Sequence, residues 1–328
     1  MSHENVQVKK KFNAFTLGLF VIVIPNVWSF AATGLVIGIF AGGLPVLIWS
    51  SLLVGILLSI QVVSFAEFGS AYPSEAGCVL LAQKLGGPKY GNICGYMTGS
   101  LQVLASFILP ACLVASYVPF VVTAALVMHP DWEVQKWQNF LVYQALNVIV
   151  MYLCFRQSRS LETIALGGAF ILFALLLTSM GVIIGRADPI ASTELVWEKI
   201  RNVTGWPTGL AMLIGASAPL AGYGPTHWVL NMAEEVENPR RSIPIAFLMQ
   251  QLGSIVTLFS FFIAIGYGVG DKWEEIISSI YPAPMAAVYE VATRSKPITV
   301  ALLSLLLTLN VISTVPFHEW LGKYDAKA

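Results

Sequence analysis

The sequence predicts an all-α integral membrane protein whose first and sixth helical spans are broken near their middles. Composition comes first: 56% of the 328 residues are hydrophobic and 11% are charged, where an average soluble domain carries roughly 25% charged residues, and mean hydropathy is +0.74. The second observation is length. The apolar residues gather in eight stretches, each at or near the ~20 residues that a spanning helix requires, without the segments of about ten alternating residues that mark a membrane β-barrel. The third is that two of those stretches carry proline, glycine and polar residues at mid-span.

In chain order the spans are 12–40, 44–66, 93–127, 137–155, 161–185, 208–232, 243–270 and 297–317, one membrane domain over 1–328 with short tails at 1–11 and 318–328. The stretch 93–127 exceeds one span and falls short of two, and orientation decides it. Counted once, it leaves Lys9, Lys10, Lys11, Lys84, Lys89, Arg156, Arg159, Arg240, Arg241, Lys323 and Lys327 on one side. Lys136, Arg186, Lys199, Arg201, Lys272, Arg294 and Lys296 face them, an 11 to 7 division in the direction of the positive-inside rule. Both termini are therefore expected to be cytoplasmic. The fifth span holds no lysine, and Pro244 is expected to open the seventh, since proline suits a first helical turn.

Eighteen basic residues balance eighteen acidic ones, so no nucleic-acid surface is implied. "MSHENVQVKKKF" lacks a signal peptide's apolar region and cleavage site, leaving insertion to the first span. Cys78, Cys94, Cys112 and Cys154 show no Cys-x-x-Cys spacing and read as apolar thiols. No catalytic motif or paired carboxylate lies within a span, so an enzyme is not expected. A channel would want a charged or carbonyl ring, and none is legible.

Irregular backbone survives inside a bilayer only where protein or a watery cavity surrounds it. The first span breaks at Pro25, which removes a ladder hydrogen bond and clashes with the preceding turn. Asn26 and Ser29 follow. The sixth, "LIGASAPLAGYGPTHWVLNM", crowds Gly215, Pro219, Gly222, Gly224 and Pro225 into its middle. Interrupted segments at matching positions of two halves point to a transporter's binding site, with spans one to five as the first half.

"IPNVWSFAATGLVIGIFAGGLPVLIW", "SFAEFGSAYPSEAGCVLLAQKLGGPKYGNICGYMTGSL", "NVTGWPTG" and "NMAEEVENPRRSIPIA" together resemble the fungal amino acid and choline permeases of the amino acid–polyamine–organocation superfamily, in order from about residue 12 to residue 316. The resemblance implies a five-plus-five inverted-repeat fold. It also implies a secondary transporter importing an amino acid, γ-aminobutyrate, choline or a related small amine, in the plasma membrane or the vacuolar membrane. The substrate would lie between the unwound centres of spans one and six, Asn26 to Phe30 and Ala221 to His227. Such permeases ordinarily continue through about twelve spans, so the chain is expected to be truncated after the eighth. The competing expectation is a transport-inactive fragment or partner subunit. The oligomeric state is left open.

Within that frame a substrate carboxylate is expected at exposed N–H groups near Ser29, Phe30 and Ala31, and an ammonium at carbonyls near Ala221 and Gly222, with Tyr223 alongside. Trp28 reads equally as a cap on the cavity, suited to a quaternary ammonium, or as packing. Against the family's Gly-aromatic-Asp, an ungapped alignment puts Pro225, Thr226 and His227, so the acidic group is absent. His227, an ionisable residue at a span centre, is a candidate proton carrier; a neutral histidine bonded to a neighbouring helix is the plainer account. Glu67 reads as an inner-gate carboxylate or as a cap on the next helix. Thr308, Ser313 and Thr314 are candidate oxygen ligands for sodium, though such hydroxyls more often bond their own backbone. Proton and sodium coupling both stay open, and no other cofactor or metal is expected. Two surface features complete the reading: ion pairs of Glu234, Glu235 and Glu237 with Arg240 and Arg241, and of Glu162 with Arg159, and a glycosylation sequon at Asn202-Val203-Thr204.

Overall fold

The computed structural model describes residues 12–157, 161–224 and 226–325; Arg159, Pro225 and the basic tail residues Lys9, Lys10, Lys11 and Lys327 lie outside them. Among the described residues every regular element is helical. Among these residues seven helical segments are long and apolar enough to cross a membrane. The expected sixth, 208–232, is the difference: it is divided at Ala216 and Gly224 into two short helices and a 3-10 segment, none long enough alone.

The first span starts at α1 (Ala14–Val23), because Asn13 accepts hydrogen bonds from the backbone N–H groups of Phe15 and Thr16 while Thr16 Oγ1 accepts from Asn13 N, a capping box. It stops at Pro25. Asn26 adopts a left-handed backbone, φ 41°, tolerated by asparagine more readily than by most residues, and α2 (Val27–Thr33) restarts at once. A second interruption, not anticipated, falls at Gly34 before α3 (Leu35–Ala41).

Then come α4 (Leu44–Ala71), the short α5 (Gly77–Leu85), α6 (Gly87–Met128), α7 (Lys136–Gln157) and α8 (Leu161–Gly185). The 93–127 stretch lies within the single helix α6, which carries Pro110 and Pro119 internally. Short α9 (Thr193–Trp197) leads to the broken sixth region: α10 (Thr208–Gly215), α11 (Ser217–Tyr223) and the 3-10 segment Thr226–Glu235. Beyond it lie α12 (Pro239–Val269), α13 (Trp273–Ile277), α14 (Pro284–Thr293) and α15 (Lys296–Asp325).

The seventh span opens earlier than expected. Pro239 takes the first turn of α12 and Pro244 sits inside the helix. A proline there cannot bond the carbonyl four residues back, which is that of Arg240, and Ser70 Oγ of α4 donates to that carbonyl at 2.8 Å.

The helix α12 packs along α4 and α1, and α15 along α6. One apolar core gathers Trp28, Phe261 and Tyr289 between them, and a second gathers Phe12, Phe20 and Trp228. Spans one and six run antiparallel, side by side. Gly222 meets Val27, Gly34 meets Ala218, and Gly215 meets Gly38 and Ala41, while ahead of α1 Phe12 forms an isolated parallel bridge to Val236. This rung order brings the break at Pro25 and Asn26 level with the turn around Gly224.

Candidate functional site

At the level of the two breaks the helices enclose a cavity of about 270 Å³. Pro25 and Phe30 wall it from the first span, Ala221, Gly222, Gly224 and His227 from the sixth, Leu109, Leu113 and Tyr117 from α6, and Asn310, Ser313 and Thr314 from α15. Gly222 suits this close approach: a Cβ would stand 3.1 Å from both Val27 O and Val27 Cγ1, a tight contact that glycine avoids.

Asn310, absent from the sequence reading, ties the site together. Its Oδ1 accepts from Asn26 Nδ2 and from Ser29 Oγ, each at 3.2 Å, locking α15 onto the first-span break. Asn310 Nδ2 and Asn26 Oδ1 are buried and have no hydrogen-bond partner. Below them Ser313 Oγ and Thr314 Oγ1 both donate to the Asn310 carbonyl, at 2.9 and 2.8 Å. Tyr117 OH lies 2.6 Å from Thr314 Oγ1 and, with that hydroxyl's proton engaged, donates to it.

Comparison with known proteins places the architecture. Residues 14–315 match the amino acid permease family. The chain belongs to this family. Its members are transporters of small molecules rather than enzymes, and this permease is a multi-pass integral membrane protein. A choline transporter of Saccharomyces cerevisiae is 28% identical over 322 residues, covering 96% of this chain and 56% of that protein. A swainsonine transporter of Arthroderma benhamiae is 26% identical, covering 68% and 44%. A 7-keto 8-aminopelargonic acid transporter of Saccharomyces cerevisiae is 22% identical, covering 97% and 64%. This permease thus spans about half the length of the curated relatives it matches.

The geometry redistributes the expected roles. Because α2 restarts directly after Asn26, Phe30 N already donates to Asn26 O at 3.0 Å. The N–H groups left without an intrahelical carbonyl are those of Val27, Trp28 and Ser29, and the expected donors Phe30 and Ala31 are spent inside the helix. On the sixth span the Ala221 carbonyl accepts Gly224 N at 3.3 Å. Trp28 lies fully inside the core with its ring edge-on to Phe261, centroids 4.9 Å apart; it packs, and its indole Nε1 has no partner. Tyr223 turns from the cavity and donates to the Ser51 carbonyl of α4 at 3.2 Å.

His227 lines the cavity, and among the described residues its ring makes no hydrogen bond to a neighbouring helix, contrary to the plainer account. Thr308 is exposed and donates to Ser304 O, so it does not join Ser313 and Thr314 near the break. Glu67 is exposed on the last turns of α4. It caps nothing there, since α5 has Ala76 as its N-cap residue and no side-chain cap.

Proposed function

We propose that this permease is a secondary-active importer of an amino acid, γ-aminobutyrate, choline or a related small amine. On this reading it works from a five-plus-five inverted-repeat frame, in the plasma membrane or the vacuolar membrane, with both termini cytoplasmic. The observation that carries the reading is the cavity shared by the level breaks of spans one and six, with the half-satisfied amide of Asn310 at its wall and that of Asn26 hydrogen-bonded to it. A broken backbone at membrane depth is tolerated only beside protein or a watery cavity, and unpartnered buried donors and acceptors are costly to keep. Both features make sense where a polar solute arrives to complete them.

Substrate enters the cavity, displaces water from the half-helix ends, and is released on the far side as one group of helices rocks against the other. Either a proton or a sodium gradient would drive this cycle. Ser313 and Thr314 stand near the first-span break, yet the Thr314 oxygen is already engaged by Tyr117, which leaves sodium a thin oxygen set.

The test is uptake by the full chain in proteoliposomes, with labelled amino acids and choline, under imposed proton and sodium gradients separately. Saturable uptake that one gradient accelerates and Ala221→Phe abolishes supports the reading. Absence of saturable uptake from a folded, oriented preparation overturns it.

A further inference from the structure

A second cavity, of about 470 Å³, lies away from the breaks, at the far end of α12 from Arg240. It sits among α13, α14 and the start of α15, and Lys272, Arg294 and Lys296 line it together with Glu275 and Glu290. Among the described residues none of the three cations forms an ion pair with an Asp or Glu. Lys272 Nζ and Arg294 Nη2 instead donate to one acceptor, the Asp188 carbonyl, at 3.0 and 3.4 Å. A single carbonyl dipole cannot neutralise two full positive charges brought this close. Glu290 is already engaged, because the Tyr281 hydroxyl donates to it; burial first, and that carboxylate second, push the Tyr281 phenol up to about 12.

The arginine is held there at a cost. Arg294 ends α14 with a left-handed backbone, φ 49°, where glycine is usual and a residue with a side chain is strained. Lys296 opens α15, and among the described residues its ammonium makes no hydrogen bond. Cations gathered in a concave wall focus their field on the space between them. We propose that this cavity binds a small, hydrogen-bearing oxyanion of the phosphate type, with Arg294, Lys272 and Lys296 as its donors and Glu275 as the acceptor of its remaining proton. The guanidinium fork matches two oxygens of such an anion, and a P–OH turned to Glu275 lets a carboxylate stand in the same wall. Bound there, the anion links α13, α14, the start of α15 and, through the Asp188 carbonyl, the segment after α8. A free phosphate ion and a phospholipid headgroup share this chemistry.

The experiment follows the thermal midpoint of the full chain in mild detergent, near neutral pH and at constant ionic strength, as sodium phosphate, sodium sulfate or sodium chloride is raised. Stability is the readout, so the outcome is independent of transport. Phosphate is expected to raise the midpoint saturably, as a ligand of the folded state does, and to do so at lower concentration than sulfate, which has no proton for Glu275. Dihexanoyl phosphatidic acid, tested alongside, separates the sources: a rise from it without one from inorganic phosphate assigns the site to a lipid headgroup, and a rise from inorganic phosphate assigns it to a free anion. Lys296→Gln and Arg294→Gln should each weaken the apparent affinity for the active probe about tenfold. Arg294→Gln also loses the bond to Asp188, whereas Lys296→Gln removes no hydrogen bond of the fold, so the site stays testable if the arginine variant misfolds. Lys199→Gln, which changes an exposed cation outside this cavity, should leave the affinity unchanged. No rise above chloride from either phosphate probe overturns the proposal, as does sulfate acting as strongly as phosphate or an affinity kept within about twofold in Lys296→Gln.

Discussion

Gly222 offers the sharpest test of how the two broken spans are held. In Gly222→Ala the new methyl would stand 3.1 Å from Val27 O and from Val27 Cγ1, where unbonded carbons prefer about 3.5–4.0 Å. The Val27 side chain can give by a few tenths of an ångström, but its carbonyl belongs to the backbone of α2. Overpacking of this kind costs about 1–3 kcal/mol, and the alanine variant belongs at the lower end. At about 2–4 °C per kcal/mol for chains of 150–250 residues, the thermal midpoint should fall by a few degrees. Gly222→Leu should fall further, because its extra carbons have nowhere to go on that face. Val27→Ala combined with Gly222→Ala removes the Cγ1 contact and should recover part of the loss. The assay is the fraction of monodisperse full chain left after heating in mild detergent, followed by size-exclusion fluorescence. Unchanged midpoints for both single variants would refute the close approach of the two spans.

Other outcomes follow from single features. Phe12 is buried against Phe20, ring centroids 5.1 Å apart, and its backbone bonds Glu235 and Glu237 on the sixth span; Phe12→Ala should cost about 3–5 kcal/mol, visible as a drop in the same thermal midpoint. Burial raises the Cys78 thiol from 9.0 to about 11, outside the spanning helices. The folded state thus favours the protonated thiol, a contribution present below about pH 9 and lost as pH climbs through 11. With the other three cysteines replaced by alanine, iodoacetamide should label Cys78 about a hundredfold more slowly at pH 8 than an ordinary thiol; labelling at the ordinary rate would contradict the burial. Asn202 Nδ2 donates to Trp206 O at 2.6 Å and its Oδ1 accepts from Thr204, so the sequon amide is held by its own loop. Peptide N-glycosidase should leave the protein's mobility unchanged, and a shift would show that this loop opens during synthesis.

The breaks themselves were legible because proline inside an apolar run has a local, unavoidable cost. Gly34 and Ala216 were not, since a lone glycine or alanine is ordinary in a membrane helix and only tertiary packing decides that the helix ends there. Asn310 was missed for a different reason. Its partners Asn26 and Ser29 are 284 and 281 residues away, and no local pattern announces such a pairing. One signal was available: Asn310, Ser313 and Thr314 fall at i, i+3 and i+4 and share a face, whereas Thr308, two positions before Asn310, points elsewhere. Periodicity would have exchanged Thr308 for Asn310. Tyr223 was drawn to the site by its neighbours in sequence, while the helical turn of α11 sends its hydroxyl to α4.

The antiparallel rungs between spans one and six each hold a small residue on at least one side: Gly222 beside Val27, Gly34 beside Ala218, Gly38 beside Gly215. Neither segment can therefore grow in bulk unless the other is trimmed at the same height, and the two must drift through evolution as a matched couple. A chimaera that borrows only residues 12–41 from a relative should misassemble. One that borrows 12–41 together with 208–236 carries its own fit with it.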